Sequence, residues 1–243
     1  MKLNKQFLIT GDTHGSLMRF DELYGLKNWA LIILGDAGFN YSFSNYEKQK
    51  KQLIHKSFPT CTIYCVRGNH EAHPKTLKYK LKYDKEIKGR VYQDPVAPNI
   101  KYLKDGEEYE INGLKTLVIG GAYSIDKYYR LAVGDKWFED EQLSDIEKFH
   151  IWNKCKDTKY DLILSHTCPL SLQPTDLFLS DIDQSTVDNS MEIWMDSIKN
   201  FNNYNYWLWG HYHDDRDYLD NKHYMLYKKI CKLNDIVKPK DSV

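Results

Sequence analysis

Six short apolar runs, each stopped by glycine or a polar cluster, constrain this 243-residue chain more than any other feature. Residues 6–10 end at Gly11-Asp12, 30–34 at Gly35-Asp36, and 62–66 at Arg67-Gly68-Asn69-His70. Residues 117–119 end at Gly120-Gly121, 162–164 at Ser165-His166, and 207–209 at Gly210-His211. Runs this short, rich in Ile, Val, Leu and aromatics, read as buried strands. Polar segments at 42–58 and 140–156 are long enough for crossover helices, so an α/β or mixed layered fold is expected. Asn112-Gly113 lies between apolar-patterned residues 107–111 and 115–119, a strong hairpin signal, which adds antiparallel strands. Residues 223–228 alternate enough for a late strand. Length predicts one domain over residues 1–236, because chains usually divide only beyond roughly 250–300 residues. Residues 237–243 are expected to fray.

Composition narrows the function. The 34 basic and 34 acidic residues cancel, so the chain does not hold nucleic acid by bulk charge. No apolar stretch reaches the roughly 18 residues of a membrane span, so no membrane partner is expected. The N-terminal apolar segment runs straight into Gly11-Asp12 without a cleavage region, unlike a signal peptide. Five cysteines without paired spacing (Cys61, Cys65, Cys155, Cys168 and Cys231) suggest a reducing cytoplasm and argue against a thiolate zinc site. Charge is locally uneven. Residues 75–90 carry seven basic and two acidic side chains, and residues 176–196 carry six acidic ones and no Lys or Arg. Both are expected to be solvated surface; the sharper reading places the basic segment beside the entrance for an anionic substrate.

The strand ends concentrate Asp12, His14, Asp36, Asn69, His70, His166, His211 and His213. Residues two apart in extended chain share a side, so Asp12 with His14, and His211 with His213, can each send two donors into one cavity. Ligands in α/β folds gather outside the carboxyl ends of strands, where these residues lie. Mixed carboxylate, imidazole and amide donors suit a borderline metal, Mn first, with Fe or Zn as alternatives. They are more than one tetrahedral ion needs, which points to two divalent metal ions.

These blocks, Asp12-Thr13-His14, Gly35-Asp36, Gly68-Asn69-His70-Glu71, His166 and Gly210-His211-Tyr212-His213, resemble the signature of the calcineurin-like metallophosphoesterase superfamily. The resemblance implies a layered α/β/β/α sandwich of mixed sheets flanked by helices. It implies a first metal on Asp12, His14, Asp36 and His213. A second would sit on Asp36, Asn69, His166 and His211, with Asp36 bridging. A hydroxide shared by the metals would be the nucleophile. His70 would protonate the leaving group or position the phosphate, with Asn69 beside it, and Arg67 would clamp phosphate oxygens.

Two departures weaken the likeness to phosphoprotein phosphatases. Phe39 stands where those enzymes carry the carboxylate that orients the catalytic histidine, and Asn40 where they carry a phosphate-binding arginine. Residues 120–130 are instead similar to stand-alone bacterial and phage metallophosphoesterases; the segment follows a strand and carries Lys127 and Arg130, so it reads either as a substrate-binding wall or as a surface loop whose tyrosines pack. The leading expectation is therefore a phosphatase hydrolysing a soluble or protein phosphomonoester. The alternatives are a phosphodiesterase or nuclease, with nucleic acid as substrate only, and a non-enzymatic protein-binding scaffold. Such scaffolds typically lose metal ligands or the histidine of the Gly-Asn-His block, and this chain keeps all of them. His55, His150 and His223 are expected to be solvated or packed and Cys168 to be structural. His73 is expected to stay out of the pocket, and Arg216 is a remote candidate for a second phosphate contact.

Overall fold

The computed structural model describes residues 5–238. Two mixed sheets form its centre. The first runs Cys231–Lys232, Gln6–Thr10, Trp29–Ile33, Thr62–Cys65, Ile100–Leu103, Gly89–Gln93 and Lys80–Asp84. The second runs Arg216–Asp217, His223–Met225, Tyr206–Trp209, Leu162–Ser165, Leu114–Ile119 and Glu108–Ile111.

The four-layer order follows from period-two alternation along strands buried on both faces. In Trp29–Ile33, Ala30 and Ile32 join a core shared with Val118, Leu162, Leu164 and Leu208 of the other sheet. Trp29, Leu31 and Ile33 face the opposite way, onto Phe20, Phe39, Ile54 and Phe58. In the second sheet Trp207 and Trp209 point outward with Ile163, onto Ile151 and onto Met195 and Ile198. Those last residues belong to the helices Asp145–Asp157 and Ser190–Phe201. Helix, sheet, sheet and helix are thus stacked as expected.

Local chemistry sets the boundaries. Ser44 caps the helix Asn45–Ser57 by accepting from the Glu47 N–H at 3.1 Å. Ser144 and Glu147 form a reciprocal capping box on Asp145–Asp157. Asn112 and Gly113 both have positive φ (54° and 77°), the turn that pairs Ile111 with Leu114 in a hairpin. All five cysteines are unbonded. Among the described residues no helix is long and apolar enough to cross a membrane.

One expectation needs correction. Val237 does not fray: it is fully buried in the core between the sheets, and its N–H donates to the Leu233 carbonyl. Residues 239–243 lie outside the described residues. The basic side chains of segment 75–90 are exposed, as expected, and none lines the clefts over the candidate ligands. Most of the segment forms the outer hairpin of the first sheet, where lysines discourage edge-to-edge pairing.

Candidate metal centre

The five sequence blocks meet where strands of both sheets end. Asp12, His14 and His213 offer ligand atoms within 4.8 Å of one another, as do Asp12, Asp36 and His166. Asp12 is common to both groups, whereas the resemblance implies Asp36 as the shared ligand. The Nε2 atoms of His14 and His213 are 3.0 Å apart. Asn69 joins the second group, its Oδ1 lying 2.8 Å from His166 Nε2. His211 stands beside them, its ring meeting that of His166 at 4.9 Å and its N–H donating to Asp12 Oδ1.

The backbone is bent to make this possible. His14, Asp36, His211 and His213 all have left-handed φ, between 46° and 70°. Such backbone costs about 1–3 kcal/mol per residue and persists where the surroundings enforce it, typically at functional sites. The glycines of the blocks make room for neighbouring ligands. A Cβ on Gly35 would meet the His166 ring at 1.9 Å, and one on Gly68 would meet Asp36 Oδ1 at the same distance. Gly68→Ala is therefore expected to lower turnover and apparent metal affinity at least about tenfold, by displacing the Asp36 carboxylate. Rates measured against added metal would check this.

Hydrogen-bond polarity tests whether the donors fit a cation. His166 Nδ1 faces the Leu34 carbonyl at 2.8 Å, which puts the ring proton on Nδ1 and leaves a lone pair on Nε2. Asn69 donates through Nδ2 to Ser124 Oγ, which donates to Glu141, so Asn69 presents its carbonyl oxygen. Two acceptors thus face each other at 2.8 Å, an arrangement that a cation relieves. Asp12 Oδ2 is buried without a hydrogen-bond partner, 3.4 Å from His213 Nε2. The residues fit divalent metal.

Titration behaviour agrees. Burial favours a raised Asp12 pKa, but His166, His213 and the His211 N–H outweigh it and bring the carboxyl down to about 2. Burial, reinforced by Asp12 and Glu71, pushes Asp36 well up. Burial lowers His14 and His166, and His211 strongly. Burial thus biases His14, His166 and His211 toward the neutral form that a cation would need. His70 is pulled down to about 4 by burial and by Arg130.

The expected substrate residues separate. Arg67 is not a phosphate clamp: it is 3% exposed, and its guanidinium is spent inside the protein. Nε donates to Asp105 at 2.8 Å, Nη1 to the carbonyls of Asp140 and Glu141, and Nη2 to that of Gly120. Lys127 turns away too, its ammonium 4.1 Å from the centroid of the Trp137 ring. Arg130 does line the cleft over the candidate ligands, held by Asp126 at 2.7 Å and by the Tyr41 hydroxyl at 2.9 Å. Arg216 is paired bidentately with Asp176 and takes no place there. His73 lies beside Asp105, and His223 packs on Asp220 and Tyr204. Phe39 is core, and Asn40 is a buried acceptor for Lys51 and Tyr79.

Sequence reasoning missed Tyr41, Lys50 and Asp126, which line the same cleft. It also missed Glu192, buried near His166 through Thr167. Asp126 lay within the quoted 120–130 segment, so its carboxylate was the available signal.

Mixed imidazole, carboxylate and amide donors converging at strand ends define a metallohydrolase-type centre. The sequence matches the calcineurin-like phosphoesterase family over residues 5–215, so the chain belongs to that family and is a metal-dependent phosphoesterase. No curated protein sequence matches it. A phosphopantetheinyl hydrolase from Mycobacterium tuberculosis is similar in structure, with a TM-score of 0.47 and 13% identity. That similarity covers 93% of this chain and 89% of the other.

Proposed function

We propose that the protein hydrolyses phosphodiesters, with two divalent cations, Mn by preference, held by Asp12, His14, Asp36, Asn69, His166, His211 and His213. The observation that carries the diester reading is a pair of clefts, about 530 and 480 Å³, that share Asp36, His70, Asp126 and His213. A phosphorus centre at that junction has room for a substituent on each side. Bound divalent cations would supply Lewis acidity and offset phosphoryl charge.

The chain's own residues do the rest. Arg130 brings positive charge to the junction. His70, neutral at physiological pH, offers an N–H to a phosphoryl or leaving oxygen and does not act as a standing imidazolium. Asp126 lines both clefts and has an unpartnered buried Oδ1. We assign it the positioning of His70 that the carboxylate missing at Phe39 would otherwise perform. His70→Ala is expected to lower kcat about 100-fold while leaving the metal-induced rise in Tm in place. A comparable loss of that rise would instead make His70 a ligand.

Monoester hydrolysis is the second reading, favoured by Lys50 and Arg130 in the larger cleft. Nitrophenolate release from methyl p-nitrophenyl phosphate and from p-nitrophenyl phosphate, with Mn added to metal-stripped protein, decides between them. The diester reading expects the methyl diester to have the higher kcat/KM; the reverse order overturns it.

A further inference from the structure

The two clefts differ in chemistry. The larger is bordered by Tyr41, Lys50 and Arg130. The smaller is walled by Tyr123, Ile125, Leu177, Phe178, Leu179 and Val187, and no Lys or Arg lines it among the described residues. Its charged borders are acidic. Asp188 and Glu192 belong to it, and both come from the segment 176–196 that carries six acidic residues and no basic one. That segment is therefore a wall of the site and not a merely solvated face.

The cleft is continuous with the candidate metal ligands. Asn69, His211 and His213 line it together with His70. Tyr212, between two of those histidines in sequence, stacks on Phe178 with 21° between the rings and bonds Thr167 at 3.0 Å. Glu192 is 3% exposed, and its Oε2 has no hydrogen-bond partner, while Oε1 accepts from Thr167. A buried carboxyl group of this kind is penalised further by an anion placed beside it.

From this asymmetry we infer that the smaller cleft receives one ester arm of the substrate, and that this arm is apolar and carries no negative charge. The inference rests on the diester reading above and narrows it to esters of apolar alcohols. A nucleic-acid strand is disfavoured, because a flanking nucleotide would bring a further phosphate against Asp188 and Glu192.

Three p-nitrophenyl phosphodiesters, with methyl, hexyl and 5-carboxypentyl second arms, test it on the Mn-loaded full-length protein. The hexyl ester is expected to exceed the methyl ester about tenfold in kcat/KM, and the carboxypentyl ester to fall below the hexyl ester by at least as much. Leu177→Lys, at a side chain 38% exposed, should narrow or reverse the hexyl-over-carboxypentyl preference. Calorimetric titration with hexyl(methyl)phosphinate and dimethylphosphinate, which carry no ester bond to hydrolyse, reads binding separately and should show the same hexyl preference. Turnover of all three esters at similar rates overturns the cleft assignment and leaves diester hydrolysis standing. Hexyl-selective binding with no turnover of any ester overturns diester hydrolysis and leaves the cleft as an apolar site. Neither turnover nor selective binding overturns both.

Discussion

Asp36→Asn is expected to lower phosphoester turnover by at least about 1,000-fold, while the metal-stripped variant melts no lower than metal-stripped wild type. Both signs come from the same burial. Asp36 and Asp12 are each 1% exposed, so two carboxylates share an interior, and among the described residues their ion-pair partners are histidines, with no lysine or arginine. Desolvation and mutual repulsion make that pair a liability until cations arrive. Asparagine keeps the Oδ1 acceptor that takes the His70 N–H at 2.9 Å, yet removes the charge. Wild type should gain about 2.7 kcal/mol at a hundredfold excess of metal over its Kd. For a chain of this length that is roughly a 5–10 °C rise in Tm. The variant should lose most of that rise. Scanning calorimetry with and without Mn, alongside rates, checks both halves. A variant that melts lower when stripped but stays active would make Asp36 a structural residue.

Arg67→Ala should destabilise the protein by about 3–5 kcal/mol, because Asp105 would be left charged and buried. Asp105 also accepts from the Gly120 N–H, and Arg67 ties together the carbonyls of Gly120, Asp140 and Glu141. Removing the guanidinium strands three acceptors on segments that border the site. The Arg67 contact and the nearby His73 hold the Asp105 carboxyl below the usual range against its burial. A depressed folded pKa contributes stability that is complete above the unfolded value, about 3.9, and disappears as pH falls through the folded one. The gap between wild type and Arg67→Ala should therefore be full at neutral pH and shrink below about pH 4. Denaturant unfolding at both pH values measures it. A phosphate clamp would behave oppositely, with full stability, a raised KM and no such pH dependence.

These two residues show what was readable before the structure. Asp36 was legible because its chemistry is local: an apolar run, a glycine and a carboxylate at a strand end, repeated with variations four more times along the chain. The layers were legible for the same reason, since Trp29–Ile33 and Trp207–Trp209 alternate between two buried faces. Arg67 was not legible. It stands beside Gly68-Asn69 in sequence, but the groups that consume its donors lie 38 to 74 residues away. Nothing local separates an arginine turned inward from one turned toward phosphate. The acidic segment 176–196 is mostly exposed, as expected, but its apolar residues Leu177, Phe178 and Leu179 also form a cleft wall, which was not legible because Tyr123 and Ile125 arrive there from the middle of the chain. Val237 was missed because one valine beside a polar tail has no periodicity to reveal it.

Metal-dependent phosphodiester hydrolysis at the strand-end cluster is tested most directly by a stoichiometric titration. Mn would be added in known equivalents to metal-stripped protein, with bound metal and the rate of methyl p-nitrophenyl phosphate hydrolysis read on the same samples. Activity should be absent at the start, rise with bound metal and level off at two equivalents per chain. Asp36→Asn should bind less metal and stay near the baseline throughout. Full activity in the stripped protein, or two bound equivalents with no hydrolysis, would contradict the account.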